Sequence, residues 1–270
     1  MGADIKSLKT RIRSIDSTLH LTKAMGLVAS SKIRKATEAM LKSKEYSDTA
    51  EKMINTLMAD SSCKRSRYLR TPDGKGKKKL IVVAGDRGLA GGYNANIFRT
   101  LRSVSDTELV PIGKKACDRL GNGYISAEEF SYEQAKELAD KLCSEYASGE
   151  YDEISILCTK YVSIMTQEPQ ILKLFPFSAD ENSNAVKTSM VFEPGELEIL
   201  NTFIPEYIAG KIIACVRESF ASEVAARRVA MDNAGKNANQ MISDLQLEYN
   251  RARQSIITQE ITEIVAGSGR

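Results

Sequence analysis

The segment GDRGLAGGYN (85–94) is where residue types and spacing most invite chemistry. A glycine-rich turn placed directly after an apolar strand and before a helix can aim backbone N–H groups at a phosphate. The pattern is incomplete. Read as a dinucleotide fingerprint it fails between Asp86 and Gly88, and no Gly-Lys followed by Ser or Thr completes a P-loop. A carboxylate inside the turn would also repel a phosphate. Three readings stay open: a structural tight turn, a partner-contacting loop, and a nucleotide or phosphate site in an α/β protein with coiled-coil arms.

Other candidates for chemistry are sparse. His20 is the one histidine, and no Ser or Cys nucleophile pattern accompanies it. The five cysteines (Cys63, Cys117, Cys143, Cys158, Cys215) are odd in number and lack a CxxC pair, which points to free thiols in a reducing compartment rather than to zinc or a disulfide framework. No catalytic residue, cofactor or metal is expected. Glu260 and Glu263 are three apart and can share a helix face. Near a helix C-terminus they oppose the macrodipole, so the choice is between a partner contact and a solvated face. The start of the chain is basic (Lys6, Lys9, Arg11, Arg13, Lys23, Lys32, Arg34, Lys35), opposed up to position 36 only by Asp4 and Asp16. Such a surface suits an acidic protein, a solvated face or nucleic acid. The last lacks an aromatic stacking platform or groove-reading module, and a net charge of +3 does not demand it.

These groups need elements to hold them. All six prolines fall between Pro72 and Pro205, which leaves both ends free to be uninterrupted helix. In the first end Ile5, Leu8, Ile12, Ile15 and Leu19 recur at steps of three and four, and Met25, Val28, Ile33, Ala36 and Met40 continue after a phase shift. In the last, Met231, Ala234, Ala238, Met241, Leu245, Tyr249, Ala252 and Ile256 keep a similar rhythm with a slip at Glu248. Helices over about Ile5–Leu57 and about Tyr207–Ala266 would run roughly 80 and 90 Å at about 1.5 Å per residue. Apolar stripes of that length need a partner helix. The expected fold is therefore α/β: a long antiparallel two-helix coiled coil formed by the termini (1–70 and 206–270), with a central Rossmann-like domain of mostly parallel strands (71–205).

Within that domain LIVVAG (80–85), a helix over 95–101, ELVPIG (108–113), a short helix over 115–120 and a third strand near Tyr124 alternate. A helix over 131–147 and strands over 153–161 and 170–177 follow, and Ser178–Thr188 is read as a mobile loop. No stretch approaches a membrane span, and no signal or transit segment is expected at the start.

The run YNRARQSIITQEITEIVAG (249–267) closely resembles the signature of the gamma subunit family of F-type ATP synthase, through Ile257, Thr258, Glu260, Glu263 and Ile264. IRSIDSTLHLTKAMGLVASSKIRKA (12–36), with Thr22 to Met25 as its Thr-Lys-Ala-Met step, and GDRGLAGGYN resemble the same family in the same order. Departures are Ala90 and Tyr93, where many relatives carry Cys and Leu, and the absence of the paired-cysteine insertion of chloroplast members. The resemblance implies a non-catalytic rotor shaft inside a ring of alpha and beta subunits, with the α/β domain near an epsilon subunit and the membrane c-ring. It places Lys23 and Met25 by an acidic lever loop of the catalytic subunit. Arg227 and the group Gln254, Thr258 and Glu260 would lie across the same moving boundary, with Arg253 and Gln254 at catch loops. Glu263 joins this set as a partner contact. The implied setting is the cytoplasmic side of a bacterial plasma membrane, peripheral to it, with no nucleic acid.

Overall fold

The computed structural model describes residues 2–72, 74, 76–121, 125–177 and 192–268. They fall into two compact units, Met1–Ser30 with Arg227–Arg270, and Ser31–Ala226. Two long helices supply both: α1 (Gly2–Met58) and α5 (Glu196–Ser268).

In the first unit the helices pair antiparallel. A Cβ on Gly26 would lie 3.7 Å from Met231, and one on Gly235 3.8 Å from Thr22 and 3.9 Å from Leu19. The inward positions on α1 are Ile5, Leu8, Ile12, Ile15, Leu19, Thr22, Gly26 and Ala29; on α5 they are Met231, Gly235, Ala238, Ile242, Leu245, Tyr249, Ala252 and Ile256. Both keep alternating steps of three and four without the phase shift at Met25 or the slip at Glu248 that the large apolar residues suggest. The reason is steric. Thr22, Gly26, Ala29 and Gly235 are small enough for two backbones to approach, so they take the seam. Val28 and Met241 fall outside it, 57% and 55% exposed.

The second unit is built on a four-stranded sheet of order β2-β1-β3-β4: β1 (Lys77–Val83), β2 (Thr107–Ile112), β3 (Tyr151–Tyr161) and β4 (Gln167–Phe175). β1 pairs parallel with β2 and β3, and β4 runs antiparallel to β3. The inner strands are covered on both faces, which is why LIVV and ISILC read as continuous apolar runs. One face (Ile81, Val83, Ile154, Ile156) packs on α4 (Tyr132–Ala147), on α5 through Ile204, Ile208 and Ile212, and on α1 through Ile54 and Leu57. The other (Leu80, Val82, Leu157) packs on Ile97 and Phe98 of α2 (Tyr93–Leu101) and on Ala116 of α3 (Lys114–Leu120). A reciprocal capping box at Ser131 and Gln134 starts α4.

Three expectations fare differently. α5 begins eleven residues before Tyr207 and runs through Pro205. Proline inside a helix costs about 3 kcal/mol. Burial of Leu200, Ile204 and Ile208 against the sheet offsets this at roughly 1.5–3 kcal/mol per side chain. The expected third strand does not form in the described residues from Ile125 to α4; Tyr124 lies outside them, as does Ser178–Thr188. Ile125 instead accepts a hydrogen bond from the Gly113 N–H at 2.7 Å. Finally, α5 contains a window apolar and long enough by composition to cross a membrane, of mean hydropathy 1.4, contrary to the expectation of none; 56% of it is buried inside the protein. All five cysteines are free and buried.

The segment entering β1 is anchored by charge. Arg70 donates to Asp152 at 3.2 Å and to the carbonyl of Tyr146 at 2.9 Å, and the Gly76 N–H reaches Asp152 at 2.6 Å. The Gly76 bond first, then Arg70, hold the Asp152 carboxyl below the usual carboxylate range. A depressed native pKa contributes stability that is present above the unfolded value of about 3.9 and lost as pH falls through the native one. Urea titrations at pH 7 and pH 3 should therefore find Asp152→Asn less stable than the parent at pH 7, with a smaller gap at pH 3.

Candidate functional site

In the first unit, Lys23 is exposed and Met25 half-buried on α1; Arg227 is half-buried on α5. Lys23 lines a groove of about 350 Å³ with Leu27, Arg228, Asp232, Lys236 and Asn239. Its floor exists because Gly26 and Gly235 carry no side chain. Arg228 crosses the seam, donating to the Gly26 carbonyl at 2.9 Å and to Ser30 Oγ. Lys236 pairs with Asp232 at 2.9 Å and holds that carboxyl below its ordinary value. Leu21, Leu27 and Val28 are exposed on the same stretch of α1, Leu27 one turn from Lys23. Sequence reading missed them as surface groups; their signal is that they fall out of phase with the seam.

Arg253, Gln254, Thr258, Glu260 and Glu263 are all exposed on the last turns of α5. Local bonds run along this stretch: Thr258 Oγ1 donates to the Gln254 carbonyl at 2.9 Å, Thr262 Oγ1 to the Thr258 carbonyl at 2.8 Å, and Gln259 Nε2 to Glu263 at 2.9 Å. An antiparallel pair advances at about 1.5 Å per residue on both helices, so the register of Thr22 with Gly235 puts the start of α1 opposite about residue 255. Beyond that point α5 has no α1 to pack on. Ile257, Ile261, Ile264 and Val265 are nevertheless apolar and 42%, 56%, 70% and 64% exposed. Singly exposed apolar residues are ordinary; four on one unpaired helix end mark an interaction surface. His20 is exposed, 3.8 Å from Asp16 one turn away.

In the second unit the glycine-rich turn carries its own anion. The Asp86 carboxylate accepts from the Lys114 N–H at 2.9 Å, Ser126 Oγ at 3.0 Å, the Ala127 N–H at 3.2 Å and the Glu128 N–H at 2.9 Å. Donors from the start of α3 and the loop before α4 thus converge on Asp86, which favours the structural reading of this turn. Asn94 Oδ1 accepts from the Gly85 N–H at 2.9 Å. Tyr93 donates to the Ser219 carbonyl at 2.9 Å, tying α2 to α5, and its burial pushes the phenol well above its ordinary pKa.

Helix pair and α/β unit together have counterparts among solved ATP synthase stalks. A chain of the Euglena gracilis mitochondrial ATP synthase, in a structure described as OSCP/F1/c-ring, matches with TM-score 0.68 and 17% identity over 99% of this chain and 94% of that one. A chain of the Tetrahymena thermophila central stalk and c-ring matches with TM-score 0.60 and 24% identity, over 79% and 99%. These define the fold as that of a central-stalk chain. The sequence model of the family described as ATP synthase matches residues 4–269. The ATP synthase gamma chain of Ruminococcus albus is 40% identical over 286 residues, covering 98% of each chain. The sodium-ion-specific gamma chain of Acetobacterium woodii is 36% identical over 299, covering 99% of each. The chain belongs to the ATP synthase gamma chain family.

Proposed function

We infer that this chain is the central rotor stalk of an F-type ATP synthase, turning inside a ring of alpha and beta subunits and coupling ion flow through a membrane c-ring to ATP synthesis or hydrolysis. It carries no catalytic residue of its own; each catalytic site meets a different face of one asymmetric helix pair. The observation that carries this beyond family membership is the unpaired end of α5, where exposed Ile257, Ile261, Ile264 and Val265 alternate with Thr258, Glu260 and Glu263. A shaft tip that must seat in a ring and still turn needs apolar area for seating and polar contacts that exchange without locking.

On this reading Lys23, Met25 and Arg227 meet an acidic loop of the beta subunit, and Arg253, Gln254, Thr258, Glu260 and Glu263 meet the ring at the tip. An epsilon subunit and the c-ring contact the α/β unit. The complex lies on the cytoplasmic side of a bacterial plasma membrane, with this chain peripheral to it.

Removing residues from Arg253 onward tests the reading. From Arg253 to Gly267 every position but Ile256 is exposed, so the truncated chain should keep its urea stability to within about 0.5 kcal/mol. Assembled with the ring and membrane subunits, it should hydrolyse ATP while pumping far fewer ions per ATP. An unchanged pumping ratio would count against the stalk assignment.

A further inference from the structure

The turn after β1 gathers groups from both long helices. Arg87 Nη2 lies 3.2 Å from Oε2 of Glu128, and Lys32 of α1 pairs with Oε1 of the same carboxylate. The Glu128 N–H is held by Asp86 at 2.9 Å. On the other side the Arg87 N–H donates to Glu223 of α5 at 3.4 Å, and Glu223 is buried. That approach requires Gly85, since a Cβ there would lie 2.7 Å from the Glu223 carboxyl carbon. One two-residue step, Asp86–Arg87, therefore touches the loop before α4, the start of α3, α5 directly, and α1 through Glu128.

We propose that Glu128 is a torsional latch: a positioning residue that joins α1 to the β1–α2 turn so that the sheet and the helix segments packed on it twist as one body. The proposal rests on the stalk reading above. Apolar packing between a helix and a sheet resists separation but is non-directional, so it resists sliding and twist weakly. Charged contacts set away from the packed face act with a lever arm and have direction. Among the described residues Glu128 carries ion pairs both to α1 and to the turn. It is 28% exposed and its partners Lys32 and Arg87 are 35% and 63% exposed, so the latch is screened by salt but only in part.

The test uses the assembled complex with the ring fixed and a probe on Glu137→Cys, an exposed position of α4; the native thiols are buried, so labelling is selective. Angular fluctuation of the probe is compared for the parent, Lys32→Gln, Glu128→Gln and the double variant, at low and high salt. Loss of a partly exposed ion pair shifts a local equilibrium up to roughly fivefold, and the fluctuation should widen in each single variant. The double variant should be no wider than Glu128→Gln, because one carboxylate serves both. High salt should widen the parent towards the variants and leave Glu128→Gln unchanged. Variants that assemble and show the parent's width at both salts overturn the latch. Should Glu128→Gln fail to assemble, Lys32→Gln decides alone, since it leaves every hydrogen bond to Asp86 in place. A parent complex that hydrolyses ATP without turning the probe overturns the stalk reading itself, and the latch with it.

Discussion

Gly113→Ala should destabilise the chain severely. Gly113 follows β2 with φ of +92°, and a Cβ there would sit 1.9 Å from the carbonyl oxygen of Ala84 and 2.8 Å from its carbon. Those atoms are backbone at the end of β1, pinned by the Ala84 N–H to Ile112 bond at 2.9 Å, so nothing nearby can rotate away. Separating the two strand ends would break that bond and the 2.7 Å bond from the Gly113 N–H to Ile125. A backbone at φ +92° and ψ +144°, outside the left-handed helical well, costs a non-glycine residue about 1–3 kcal/mol, and the clash adds more. A total above about 4 kcal/mol is expected, against a typical whole-domain stability of about 5–15 kcal/mol. Gly121 supplies the control. It closes α3 with φ of +76°, but a Cβ added there would meet nothing within 4 Å, so Gly121→Ala should cost only about 1–2 kcal/mol. Urea melts of the two variants separate the clash from the dihedral; equal losses would show that the close approach at Gly113 is not rigid.

Asp86→Ala should be the most damaging change at a polar side chain in the turn. It strands three backbone N–H groups, of Lys114, Ala127 and Glu128, together with the Ser126 hydroxyl. Each hydrogen bond to a charged acceptor is worth roughly 1.5–3 kcal/mol. Asp86 is half-buried, so water recovers part of that, and a net loss of about 3 kcal/mol is expected. Asp86→Asn keeps one carbonyl acceptor and should fall between alanine and the parent. Hydrogen exchange locates the effect: the Ala127 and Glu128 amides should lose protection in Asp86→Ala while amides of the β3 core keep theirs. Unchanged exchange at 127 and 128 would mean that the carboxylate does not hold the loop.

Asp86 also shows where sequence reading stops. The residue is visible as an obstacle to phosphate, because a negative charge stands in a glycine-rich turn. Its work as an acceptor is not, because the donors come from positions 114 and 126–128 and meet only after the sheet forms. The seam of the helix pair is partly legible for a related reason. Ile5, Leu8, Ile12, Ile15 and Leu19 give the rhythm at once. Past Leu19 the eye follows the large apolar residues Met25 and Val28, whereas the packed positions are Thr22, Gly26 and Ala29, selected for closeness rather than hydrophobicity. At 241 and 242 two large apolar residues stand side by side, and only the register with Gly235 and Ala238 assigns Ile242 to the seam. Central strands are legible because burial on both faces writes unbroken β-branched runs. The early start of α5 is not, since Pro205 argues for a break unless the burial of Ile204 and Ile208 is already known. Arg253, Gln254 and Thr258 carry no local sign of use; exposed polar residues on a helix look alike, and only the resemblance singles them out.

A central stalk must turn when its ring consumes ATP. With the ring of the assembled complex held on a surface and a probe fixed to α4, sustained rotation in one direction that stops when ATP is withdrawn is the predicted result. A probe that stays still, or merely jitters, while ATP is hydrolysed at the full rate would contradict the assignment.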